Sequence, residues 1–139
     1  TGMTYDSEVI KTAKLLKGTN FVFMHCVSIY PTPLEQANLS RMEWLKAFTP
    51  CVGFSDHSLG IELAKMAVVL GACYVEKHFT IDRSLLGPDQ KMSTLPEDFA
   101  ELARYRDEFE KAWGVPHRPL METEEKLREI YIGKWGNNK

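Results

Sequence analysis

With 139 residues, 44% of them hydrophobic and 26% charged, the chain has the size and composition of one globular domain with a real core. It falls short of the about 250 residues that a complete eight-fold βα barrel needs. A net charge of −2 without any long Lys or Arg run excludes a phosphodiester-binding protein. No apolar segment approaches the roughly 20 residues of a membrane span and no secretory leader is expected, so neither nucleic acid nor membrane is an expected partner.

Thr1-Gly2-Met3 reads as the exit of something that began earlier. A helix is expected from about Asp6 to Lys17, with Val9, Ile10, Ala13 and Leu16 on one stripe and Gly18 as its stop. Phe21 to Cys26 is a continuous apolar run, as in a strand covered on both faces. Two prolines in Val27 to Pro33 then impose an extended loop. Ser28 and Tyr30 share parity on it and could offer hydroxyls to a ligand; a Tyr packed on its own loop is the competing reading. Asn38 is the expected N-cap of a helix running to about Phe48, with Met42 and Trp44 as packing residues.

The next stretch is the richest. CVGFSDHS, a helix-like GIELAKMAVVLGA and CYVEKHFT form a strand, helix, strand unit with a polar cluster at the end of each strand. Side chains alternate along a strand, so Ser55 and His57 point together, as do Glu76 and His78. Parallel neighbours would bring two imidazoles and a carboxylate to one rim, a donor set suited to a divalent metal. A histidine at a strand end is also often just a hydrogen-bonded structural residue, and both readings stand. Asp56 and Lys77 have the opposite parity and are read as solvated or helix-contacting. Ser58 is expected to cap the helix from Gly60 to Leu70, and Gly71 to end it.

The loop from Ile81 to Ser93 is longer than a connection requires and carries Asp82, Arg83, Asp89 and Lys91 around a Gly-Pro-Asp turn. Thr94 and Glu97 read as a capping box opening a long amphipathic helix that ends at Gly114. Residues 115–139 change character: a proline-bearing linker, a charged helix over Glu122 to Ile132, and a frayed end from Gly133. Cys26, Cys51 and Cys73, an odd count with no CxxC pair, are expected to be buried reduced thiols, which fits a cytoplasmic protein.

The expected fold class is therefore α/β, with about three parallel strands and flanking helices. It would be either a small open sheet or part of a TIM-type (β/α) barrel. Both place Ser28, Tyr30, Ser55, His57, Glu76, His78 and Asp89 on the carboxyl-end face.

HCVSIYPTP followed by NL, then VGFSDHSLGIE, LGA, EKHFTIDR, GPD and LPEDF resemble the C-terminal part of the catalytic barrel of the N-acetylneuraminate (sialic acid) synthase family. That family includes the pseudaminic and legionaminic acid synthases. The likeness runs from Thr1 to about Gly114, which makes residues 1–114 a barrel portion and residues 115–139 a linker and short helical tail. It implies condensation of phosphoenolpyruvate with the open-chain aldehyde of an N-acetylmannosamine-type hexosamine, giving a nine-carbon 2-keto acid and phosphate. By the same likeness His57 and His78 bind a divalent metal, manganese or magnesium, and form the catalytic group with Glu76. Ser55 and Tyr30 fall where phosphoenolpyruvate or substrate is contacted, and Asp89 where sugar hydroxyls are held. Ser28 stands where several members have Asn.

Family members carry about five further strand and helix units, which supply a catalytic Glu and phosphate-neutralising lysines. They also carry an antifreeze-like domain whose Arg reaches the partner subunit's site. The chain is accordingly expected to be a fragment or half of a split enzyme, inactive alone, that self-associates as a homo-oligomer or takes up a complementary barrel half. The alternatives are a non-catalytic remnant or assembly module, or another phosphoenolpyruvate-dependent keto acid synthase such as a 3-deoxy-octulosonate phosphate synthase.

Overall fold

A computed structural model describes residues 1–134. Three parallel strands form one sheet in the order β1 (Phe23–Cys26), β2 (Val52–Asp56), β3 (Tyr74–Lys77). Between and around them run α1 (Asp6–Leu15), α2 (Arg41–Leu45), α3 (Glu62–Val69), α4 (Pro96–Trp113) and α5 (Glu122–Tyr131). No helix among the described residues is long and apolar enough to cross a membrane. The expected frayed end lies partly outside the described residues.

The sheet is in continuous register: Cys26 pairs with Ser55 and Ser55 with Glu76, while His25 pairs with Phe54 and Phe54 with Val75. Because side chains alternate, one face carries Phe23, His25, Val52 and Phe54, and helices bury it. Met42 and Leu45 of α2 are fully buried against that face with Leu63 and Ala67 of α3. A smaller cluster of Ile61, Ala64 and Leu102 joins α3 to α4. The opposite face is open along β3, where Glu76 is exposed and Tyr74 is 59% exposed, whereas Gly53 and Ser55 of β2 are buried. The apolar strand β1 was expected to be covered on both sides; among the described residues helices cover one side only.

Several local expectations shift. α1 ends at Leu15, two residues early, with Gly18 at φ +89° behind it. Asn38 is not a cap: it adopts a left-handed φ of +46°, and α2 starts at Arg41 and lasts five residues. The chain between Pro33 and Ala37 is instead taken up by a short 3-10 turn, Leu34–Gln36. Ser58 does not cap α3, whose flanking residue is Ile61. Thr94 does not cap α4 either. The helix opens at Pro96, and the Asp98 carboxylate accepts the backbone N–H of Leu95 at 2.8 Å. Gly71 (φ +80°) and Gly114 (φ +61°) stand at the expected helix ends.

Cys51 and Cys73 are joined as a disulfide, against the expectation of three reduced thiols. They immediately precede the neighbouring parallel strands β2 and β3, which sets their Cα atoms 5.7 Å apart. Cys26 is the free cysteine.

Candidate functional site at the carboxyl ends of the strands

β2 runs directly into His57, and the following residues anchor it. The Nδ1 of His57 lies 2.8 Å from the carbonyl oxygen of Val27, which can only accept, so Nδ1 carries the proton. The Nε2 atom therefore holds a lone pair, directed toward the rim. It lies 3.3 Å from Ser55 Oγ and 3.4 Å from the Tyr30 hydroxyl. Ser55 donates its single hydroxyl proton to Glu76 Oε1 at 2.6 Å, so it does not cap that lone pair.

His78 follows β3 and turns to the same mouth. Its ring centroid is 5.5 Å from that of His57, the planes inclined at 64°. Tyr30 completes a triangle, stacked on His57 at 4.2 Å and edge-on to His78 at 5.7 Å. It sits just before the loop turns at a cis Tyr30–Pro31 peptide bond. Asp89 reaches back from the long loop to within 3.6 Å of His78 Nδ1. That separation is too long for a hydrogen bond but suits an ion pair if the imidazole is protonated. Between Ser55, His57, Glu76 and His78 lies a small concavity of about 180 Å³.

Six of the seven expected rim residues thus converge. Ser28 stands apart: its Oγ is 3.8 Å from Cys26 Sγ, and it lines a neighbouring concavity with Arg41 and Asn38. The side chains that hold the cluster were not foreseen. Thr94 donates to the His78 carbonyl through both its backbone N–H (2.8 Å) and its hydroxyl (2.6 Å), closing the base of the long loop. Thr32 N–H donates to the His57 carbonyl at 3.0 Å.

Asp56 and Lys77 are neither solvated nor free: they form an ion pair of 2.8 Å with side chains 0% and 2% exposed. Their parity, opposite to that of the rim residues, turns them into the helix-covered side, where two charges persist only by pairing. The one sequence signal for this was a Lys and an Asp at register-matched strand positions, and it became legible only once the strands were paired.

The donor chemistry fits a divalent cation in part. Two imidazoles with compatible orientation are present, one with a nitrogen fixed by a carbonyl and its lone pair met by the Tyr30 hydroxyl at 3.4 Å. Among the described residues no three His, Cys, Asp or Glu side chains converge on one point, so remaining ligands would come from water or substrate oxygens.

A parallel α/β sheet with its polar cluster at the carboxyl ends of the strands defines a protein of the class that keeps its ligand site on that rim. More particularly, the chain belongs to the NeuB family, whose model matches residues 1–118. It is 38% identical over 132 residues to an N,N'-diacetyllegionaminic acid synthase of Campylobacter jejuni, covering 91% of this chain and 40% of that protein. It is 37% identical over 121 residues to the human N-acetylneuraminate-9-phosphate synthase, covering 83% and 34%. Among solved structures, an N-acetylneuraminic acid synthetase from Leptospira borgpetersenii, in complex with citrate, superposes with a TM-score of 0.81 at 35% identity, over 93% of this chain and 46% of that one. The chain therefore spans about 40% of the length of the relatives it matches.

Proposed function

We propose that this chain carries the rim of a sialic acid-type synthase that condenses phosphoenolpyruvate with an N-acetylmannosamine-like sugar to a nine-carbon 2-keto acid. Family membership supports the reaction class, and one observation carries the assignment to this surface. His57 and His78 face each other at 5.5 Å beside a Ser55–Glu76 hydrogen bond, at the carboxyl ends of adjacent parallel strands. On this reading the sheet is part of a (β/α) barrel, its open face toward the barrel interior, completed by further strands in a larger protein or by a second chain. On the same reading the protein works in the cytoplasm.

In this scheme His57 and His78 hold a manganese or magnesium ion. A bound divalent ion would supply Lewis-acid polarisation of the sugar aldehyde. Ser55 rests with its hydroxyl proton on Glu76 and turns that proton to a phosphoenolpyruvate oxygen when the substrate binds. Tyr30 offers a phenolic donor beside it, and the two orient phosphoenolpyruvate. Asp89 accepts sugar hydroxyls, and Ser28, one step further from the imidazoles, sits nearer the sugar's distal substituents. Attack of the enol carbon on the aldehyde makes the new C–C bond. Water then adds at the adjacent carbon, and phosphate leaves by C–O cleavage.

Phosphate and carboxylate on one small substrate need several fixed cations. Lys77 is committed to Asp56, and Arg83 to Asp98 at 2.9 Å and the Ser93 carbonyl. That supports a chain without turnover of its own. The test is Mn2+ titration of the chain and of the His57→Ala, His78→Ala double variant, with keto-acid formation assayed in parallel. Tight binding by the parent, lost in the variant, is expected, with no product from the chain alone. Identical binding curves would retire the ligand assignment and favour a non-catalytic remnant.

A further inference from the structure

We propose that the buried Asp56–Lys77 pair is a positioning device that holds the two rim imidazoles at their mutual distance. Asp56 immediately precedes His57, Lys77 immediately precedes His78, and the two are register partners on adjacent strands. Their side chains meet on the covered side of the sheet at 2.8 Å, while the histidines emerge on the rim. Both also grip the backbone of Ser58, the residue beyond His57. Asp56 Oδ1 accepts the N–H of Ser58 at 2.8 Å, and Lys77 Nζ donates to the Ser58 carbonyl at 3.0 Å.

The carboxylate of the residue before His57 thus holds the N–H of the residue after it, and Lys77 ties that same Ser58 across to the strand that carries His78. A lysine from β3 holding the loop that leaves β2 couples the two strand ends as one unit. An apolar pair would fill the same space without fixing the Ser58 peptide. Charges buried to this extent persist only when partnered, and here the carboxylate has two partners and the ammonium two. The arrangement is that of a shell which orients ligands without touching what they bind. Its consequence for metal affinity rests on the reading of His57 and His78 as metal ligands; the geometric claim does not.

The experiment uses the full chain and the Asp56→Asn, Lys77→Met double variant, which removes both charges together and leaves no unpaired ion. Two readouts are taken on protein shown to be folded: the NOE between the His57 and His78 ring protons, and Mn2+ affinity by EPR. The expected result is loss of the inter-ring NOE together with a fall in Mn2+ affinity of about tenfold or more. Retention of the NOE overturns the inference whatever happens to affinity, since the pair would then be ordinary structure or act through its field alone. If the parent chain binds no Mn2+ while the NOE still depends on the pair, the metal reading fails and the positioning role stands. Should the double variant not fold, the Asp56→Leu, Lys77→Leu variant, which also leaves no unpaired ion, is read by the same NOE with the same loss expected, and Lys77→Arg is the conservative variant expected to retain it.

Discussion

At the scale of single residues, His57 and His25 illustrate how neighbours decide chemistry. His57 keeps one nitrogen on a carbonyl and turns the other to the Ser55 and Tyr30 hydroxyls at the rim. His25, 1% exposed, gives Nε2–H to the Ala37 carbonyl at 2.8 Å, stacks on Phe54, and leaves Nδ1 buried without a partner. Burial holds its pKa below the ordinary 6.5, outweighing the hydrogen bond to Ala37, because a second proton would charge a ring sealed under the helices. The unfolded chain therefore takes up this proton at a higher pH than the folded one. Stability is full above about 6.5 and is lost as pH falls toward the depressed value. Denaturant melts between pH 7 and pH 5 should show stability decreasing by up to about 1.4 kcal/mol per pH unit from this group. In His25→Gln, which retains a donor for Ala37, that slope should shrink; an unchanged slope would place the proton uptake elsewhere.

At the scale of elements, the parallel register does most of the positioning. Gly53 lies in the middle strand on the face away from the helices, where an added Cβ would collide with Met24 Sδ and stand 3.0 Å from the Tyr74 carbonyl. The Met24 side chain can swing aside, but the strand backbone cannot. Gly53→Ala should cost about 1–3 kcal/mol in equilibrium unfolding, and adding Met24→Ala should recover only part of that. Full recovery would show the methionine, not the neighbouring strand, to be the obstacle. The same lateral closeness joins Cys51 to Cys73 at the strand entries. Thiol titration of the denatured, unreduced chain should count one reactive group, Cys26, rising to three after reduction. The crosslink closes a span of 22 residues, and its removal in Cys51→Ser should lower stability by about 2–4 kcal/mol.

At the scale of the whole molecule, the packed body ends with α4. Residues 111–123 are all exposed and α5 buries none of its residues, its ion pairs being local ones such as Arg118 with Glu124. A chain ending at Gly114 should match the parent in stability within about 0.5 kcal/mol and keep the ring geometry of His57 and His78. A larger loss would mean that the tail covers a surface of the sheet in solution. The uncovered face with Tyr74 and Glu76, and the unpaired outer edges of β1 and β3 among the described residues, favour association. Sedimentation should accordingly show concentration-dependent self-association, and a monodisperse monomer at all concentrations would contradict it.

The alternation of apolar runs with helix-period segments was enough to place three strands, their parallel sense and the long helix before Gly114. Period-2 parity alone brought Ser55, His57, Glu76 and His78 to one side. Those features are local, written in spacing along one strand at a time. The clamp of Thr94 on His78, the Asp56–Lys77 pair and the joined Cys51 and Cys73 lay beyond that reading. Each is a contact between segments 16 to 22 residues apart, and sequence spacing says nothing about what stands across from a side chain. The helix starts were misplaced for a related reason: Asn38, Ser58 and Thr94 have the chemistry of caps, but the pull of buried neighbours and strand-end carbonyls decided where the turns began. The chemistry available at the rim was thus carried by residue order, whereas the orientation of each donor came from packing between strands, because only the folded sheet determines which charges meet and which lone pairs are left free.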